Sequence, residues 1–262
     1  MKLALAQMDV FWEDKEKNKI TCEGFIKKAK EAGVDIIAFP EMTLTGFSQN
    51  VSKIGEVNEE TINWFKSKSL EYDICTCFGY VESGLEKGKN KLAVISKEGK
   101  MINTYTKIHP FSYSGEDKYY EGGSEINLFK LQDADISTFI CYDLRFPEIF
   151  QIASKKAQLI IVIANWPKIR SDAWKALLKA RAIENQCFIA GVNRVGSEDG
   201  LEYSGDSMII DPKGNILKSS SDKEELLIEE IQISEVYKIR DRFPYKRDRK
   251  EELYSKLLKE NK

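Results

Sequence analysis

Histidine is almost absent from this chain of 262 residues: His109 stands alone. A metal centre built on several imidazoles is thereby excluded, and no Cys/His grouping has metal-ligand spacing. Any base of the Cys–His kind would have to be that one residue. A charge excess is lacking too. Lys plus Arg number 40 and Asp plus Glu 42, for a net charge of -2, so nothing in the balance argues for nucleic acid or a membrane surface as partner. No apolar run is long enough to span a bilayer. The opening stretch MKLALAQMDVFWEDKEKNKI alternates and then turns charged, without the core of a secretion signal. The cysteines are Cys22, Cys75, Cys77, Cys141 and Cys187, odd in number and scattered. They predict a reducing, cytoplasmic setting rather than a disulfide framework. Repeats, low-complexity tracts and Pro/Gly/Ser linkers are also missing, so one main domain is expected over 1–247, with a charged helical tail over 248–262.

What is present is an alternation of strand and helix patterns. KLALAQMDV (2–10) reads as a strand. Residues 14–32 read as a helix, with Ile20, Phe25, Ile26, Ala29 and Ala32 on one stripe and Gly33 as its stop. DIIAFP (35–40) is a short apolar run ending in proline, a buried strand that completes a βαβ unit. A helix is expected over 57–70. Strands are expected over 74–83, 91–99, 136–143, 158–166 and 187–195. Pro147 suits the first turn of a helix. Ser171 suits an N-cap, with Trp174, Leu177, Leu178 and Ile183 on the stripe behind it. The 224–233 stretch alternates and closes the sheet region. The class is α/β, with helices covering apolar strands.

Three polar residues share one kind of position, the C-terminal end of a strand-like run. Cys141 ends ISTFIC, Glu41 follows IIAFP, and Lys107 ends MINTYTK. Open α/β sheets gather such ends around ligands. A nucleophile, a carboxylate base and a cation for a developing oxyanion make a set for acyl transfer. A helix starting soon after Cys141 would favour a thiolate, and the Tyr142 peptide N–H would suit an oxyanion. Each residue also has a plainer reading: a packed thiol, a solvated turn carboxylate, a surface lysine. His109, two residues past Lys107, leaves a Cys–His pairing open. Cys75, Cys77 and Cys187 read as core packing.

The segments FPEMTLTGF, YTKIHPF and FICYDLRFPEI resemble, in the same order, the signature segments of the nitrilase (carbon–nitrogen hydrolase) superfamily. The resemblance runs from about residue 2 to residue 245. ANWPKIRSDAWKALLKARAIENQCFIAGVNRVG is most similar to the bacterial omega-amidase branch, whose substrates are monoamides of 2-oxo dicarboxylic acids. The resemblance implies a four-layer α-β-β-α sandwich, pairing into a homodimer or larger homo-oligomer, and no metal or organic cofactor. It implies Glu41 as general base, Lys107 as oxyanion stabiliser, Cys141 as nucleophile, and Glu116 in GEDKYYEGG as a second glutamate orienting Lys107. Arg145 and Arg170 are candidates to clamp a substrate carboxylate, although Arg145 could instead pair with Asp143 or Glu148. Asn165 and Trp166 are expected to line the pocket. The expected partner is a small amide. A hydrolase for some other amide or carbamoyl compound, an inactive scaffold, and a Cys–His hydrolase using His109 are the competing readings.

Overall fold

In the computed structural model of the protein, residues 1–198 and 200–260 are described. The strands in chain order are β1 (Lys2–Gln7), β2 (Ile36–Ala38), β3 (Cys75–Glu82), β4 (Lys89–Ile95), β5 (Met101–Thr106), β6 (Leu128–Leu131), β7 (Ala134–Ile140), β8 (Leu159–Ala164), β9 (Phe188–Asn193), β10 (Val195–Glu198), β11 (Leu201–Ile210), β12 (Ile216–Ser221) and β13 (Glu225–Glu230). The helices are α1 (Lys15–Glu31), α2 (Val51–Ile54), α3 (Glu60–Tyr72), α4 (Pro147–Ala153), α5 (Ser171–Asn185), α6 (Ser234–Arg242) and α7 (Glu251–Glu260).

Two sheets form. The first has the order β13-β1-β2-β3-β4-β5, and the second β10-β11-β9-β8-β7-β6 with β12 added on β11. β1, β2 and β3 run parallel, as do β7, β8 and β9. Hairpins extend both sheets. The apolar faces dictate the layers. Leu3, Leu5, Ile36, Cys75, Cys77 and Val94 of the first sheet share a core with Phe139, Ile161 and Ile163 of the second. Alternate residues of the first sheet, such as Ala4, Ile37 and Phe78, meet Phe25, Ile26 and Ala29 of α1 and Phe65 of α3. Phe150 of α4 and Trp174, Leu178 and Ala182 of α5 cover the far face of the second sheet. The result is the expected helix–sheet–sheet–helix stack. No helix among the described residues is long and apolar enough to cross a membrane.

Local chemistry sets several boundaries. The Asp14 carboxylate accepts the Lys17 N–H at 3.2 Å and starts α1. Pro147 occupies the first turn of α4, as its missing N–H suggests. Other expectations fail. Ile20 is 74% exposed, because the buried face of α1 runs through Asn18, Cys22, Phe25, Ile26 and Ala29, and residue 20 points away from it. Ile183 is likewise exposed on α5. Ser171 is not an N-cap. A 3₁₀ turn, Lys168–Arg170, leads straight into the helix, and the Ser171 hydroxyl donates to Asp206 instead. The expected 136–143 strand stops at Ile140, and residues 141–145 form a 3₁₀ turn. The expected tail helix is seen as α7, with residues 261 and 262 outside those described. Cys75, Cys77 and Cys187 are buried as free thiols.

Candidate active site

Glu41 comes first from the direction of the first sheet. β2 ends at Ala38, and Pro40 supplies no ladder donor. The chain then turns sharply. Thr43 locks that turn: its hydroxyl donates to the Pro40 carbonyl at 2.6 Å and accepts the Gly79 N–H at 3.0 Å. Gly79 is required there, since a Cβ would come within 2.4 Å of the Met42 nitrogen. Lys107 follows the last residue of β5, with its N–H on the Asn90 carbonyl at 2.9 Å. Glu116 opens a 3₁₀ turn, Glu116–Lys118. Cys141 follows β7 at φ 47, a left-handed conformation uncommon for a non-glycine residue.

These four residues meet. The Lys107 ammonium donates to Glu41 Oε1 at 2.9 Å and to Glu116 Oε2 at 2.8 Å. Both carboxylates are fully buried and the lysine nearly so. Burial works against the lysine's charge, but Glu116 and Glu41 outweigh it and hold its pKa well above the ordinary value. The ammonium therefore stays protonated. Cys141 moves the other way from the expected thiolate. Burial first, and then the Glu41 carboxylate, push its thiol well above the usual range, with Lys107 opposing. At rest it is a thiol.

Asn90 escaped the sequence reading. Its Nδ2 donates to Glu41 Oε1 at 2.7 Å and to Glu116 Oε1 at 3.0 Å. It thus bridges the same two carboxylates as Lys107 without adding charge. Nothing around it in GLEKGKNKLAV marks it, since an asparagine beside a charged hairpin loop looks like a turn residue. Asn165 does more than line a wall. Its backbone N–H donates to Glu41 Oε2 at 2.9 Å and its side-chain amide to the Glu41 carbonyl at 2.8 Å. One oxygen of Glu41 is therefore held by Lys107 and Asn90, and the other by Asn165, on the second sheet's side.

A cavity of about 220 Å³ opens above Cys141 and Lys107, with Phe47, Phe111, Tyr142, Trp166 and Tyr203 among its walls. Arg145 and Arg170 also line it. The Arg145 guanidinium lies 4.9 Å from the centre of the Trp166 ring, and that of Arg170 lies 5.3 Å from Phe111. The alternative pairing of Arg145 with Asp143 does not form, because Asp143 is engaged by Tyr105 and His109. Trp166 is fixed by its ring N–H on the Arg170 carbonyl at 2.8 Å. His109 is engaged by Asp143 and Phe146. Its Nδ1 lies 2.8 Å from Asp143 Oδ1, and its ring stacks on Phe146 at 3.7 Å. Among the described residues, no group of three or more His, Cys, Asp or Glu side chains is placed to hold a metal ion.

The model of the carbon-nitrogen hydrolase family matches residues 2–241. The chain belongs to that family. This carbon-nitrogen hydrolase is 33% identical over 258 residues to the 2-oxoglutaramate amidase of Bacillus subtilis, covering 96% of this chain and 98% of the relative. It is 31% identical over 246 residues to the omega-amidase YafV of Escherichia coli K12, covering 93% and 94%. A CN-hydrolase superfamily protein from Xanthomonas campestris, XC1258, superposes with a TM-score of 0.90 at 28% identity, over 95% of this chain and 97% of that one. The fold is that of the nitrilase superfamily, and the hydrolase acts on carbon–nitrogen bonds.

Proposed function

We propose that this hydrolase is an amidase that releases ammonia from the terminal amide of a short dicarboxylic acid, with a 2-oxo acid monoamide as the preferred substrate. The observation that carries the reading is the content of one cavity. Cys141 and Lys107 lie in it, and Arg145 and Arg170 stand in the same wall. The relatives named 2-oxoglutaramate amidase and omega-amidase support the substrate class. The volume of about 220 Å³ lies below the roughly 300–1,000 Å³ of drug-sized sites and suits a small substrate.

In this reading Glu41 takes the Cys141 proton as sulfur attacks the amide carbon. Lys107 and the Tyr142 N–H hold the oxyanion. Glu41 then hands the proton to the departing nitrogen, ammonia leaves, and a thioester remains. Water enters, gives a proton to Glu41, and attacks the thioester carbon. The C–S bond breaks, the acid departs, and the proton on Glu41 returns to sulfur. Glu116 keeps Lys107 aimed. The exposed apolar residues of α7, Leu253, Tyr254 and Leu257, support self-association into a homodimer or larger assembly.

Ammonia release from 2-oxosuccinamate and 2-oxoglutaramate is the test, with succinamate, asparagine and glutamine beside them. The 2-oxo amides are expected to turn over fastest, and Cys141→Ala to abolish release. Failure of reduced, folded protein on every dicarboxylate monoamide would move the search to other amides or carbamoyl compounds. The arginines make a second prediction. Arg170→Met or Arg145→Met is expected to raise KM for the dicarboxylate monoamides by about 10-fold or more, as befits a lost charge-assisted pair of roughly 1.5–3 kcal/mol. A neutral amide such as butyramide should show no such rise, and equal losses on both substrates would remove the clamp from the reading.

A further inference from the structure

The unusual backbone at Cys141 demands something that holds it. A non-glycine residue in the left-handed region persists only where its surroundings over-determine it. The residue placed to do so is Asp143. It sits on the same 3₁₀ turn, is fully buried, and lies outside the cavity wall. Its carboxylate gathers four donors. Oδ2 accepts the Ile140 N–H at 3.2 Å, immediately before the cysteine, and the Tyr105 hydroxyl at 2.8 Å. Oδ1 accepts the His109 backbone N–H at 3.0 Å and faces His109 Nδ1 at 2.8 Å. With three donors already on this carboxylate, the contact calls for the imidazole tautomer that carries its proton on Nδ1.

The chain positions matter as much as the distances. Tyr105 and His109 flank Lys107 by two residues on either side. Asp143 lies two residues past Cys141. One carboxylate therefore ties the lysine's segment, at the edge of the first sheet, to the nucleophile's turn on the second. Phe146, at the end of that turn, stacks on the His109 ring at 3.7 Å and closes the same clamp from outside.

We propose that Asp143 is a positioning residue for the reaction: held by Tyr105 and His109, it fixes the separation of the Lys107 ammonium and the Cys141 sulfur. It touches neither substrate nor the reacting atoms. This rests on the reading of Cys141 as nucleophile and Lys107 as oxyanion donor. Its loss lowers the rate of the bound complex more than it weakens substrate binding, because Arg170 stands on a separate turn, Lys168–Arg170, that Asp143 does not hold. Asn is the informative replacement. It has the same shape, but one of its two atoms turns a donor toward donors, and the Ile140 N–H or the His109 contact is lost.

The experiment compares Asp143→Asn, Tyr105→Phe and His109→Asn with the wild type by kcat, KM, thermal melting and the rate of Cys141 alkylation by iodoacetamide, followed by mass spectrometry. Asp143→Asn is expected to lower kcat by about 10²-fold, the cost of a misplacement near 1 Å, with KM changed less than about threefold. Tyr105→Phe and His109→Asn, each removing one donor, are expected to fall between it and wild type. Alkylation at Cys141 slows in the same order. It needs no amide substrate, so it decides the matter even if neither 2-oxo amide is turned over. Should Asp143→Asn fail to fold, the two single-donor variants carry the comparison. Wild-type kcat and alkylation rates in the folded variants, with only the melting temperature lowered, would reduce Asp143 to a stability residue and overturn the proposal.

Discussion

Glu41→Gln is expected to lower turnover by about 10²–10⁴-fold, while His109→Asn stays within about tenfold of wild type. Glutamine fills the same space and keeps an acceptor for the Asn165 N–H, but it takes no proton. The carboxylate enters both halves of the proposed reaction, so the loss should sit toward the upper end. The resting thiol sharpens the test. Because burial and Glu41 hold the Cys141 pKa high, the proposed reaction requires a neighbouring base to take the sulfur's proton when substrate arrives. Parallel measurements of kcat for both variants, on whichever monoamide is fastest, decide it. The opposite ranking would restore the Cys–His reading, in which His109 is the base.

Lys107→Met is expected to damage both activity and stability. The activity loss is about 10²–10³-fold, for one removed oxyanion donor. The stability loss is about 3–5 kcal/mol, because two buried carboxylates are left facing each other with only Asn90 between them. The pH dependence has a definite sign. In the wild type the Lys107 pKa is raised, so its contribution is fully present below the ordinary lysine value near 10.5 and is lost only as pH climbs through the higher folded value. The wild-type trio therefore stays intact across the neutral range. The gap in melting temperature between variant and wild type should thus persist through neutral pH and narrow only as pH climbs toward that raised value. A gap that is constant with pH would mean that the destabilisation comes from packing rather than charge.

The strand-end pattern was enough to single out Glu41, Lys107 and Cys141, and the structure does bring those three together. The reason is topological: parallel strands deliver their C-terminal ends to one edge, and an apolar run followed by a polar residue is visible in a string of letters. Glu116 was reached through family resemblance alone, since a glutamate in a charged loop has no pattern of its own. Asn90 and Asp143 were missed as site residues for a related reason. Their importance lies in what other segments bring to them, 49 residues away for Asn90 and Glu41 and 38 for Tyr105 and Asp143. Two apolar residues assigned to the stripes of α1 and α5 do not belong to them. Ile20 and Ile183 lie on the sides of their helices away from the buried faces, and single apolar residues are commonly left in water there. Ser171 looked like a cap because its letter favours one, and its hydroxyl found Asp206, an acceptor supplied by a distant strand.

The pairing of β1 with β13 sets Lys2 opposite Glu230. During synthesis the first strand to leave the ribosome must therefore wait for one of the last before its sheet is complete. Contacts this distant in sequence make folding slow relative to helical chains of similar size. The proposed chemistry is divided along the same line. Glu41 and Lys107 end strands of the first sheet, and Cys141 and Asn165 end strands of the second. A nascent or half-assembled chain consequently carries the sulfur without its proton acceptor and the carboxylate without its backbone donor. The proposed hydrolysis therefore requires the docking of the two sheets.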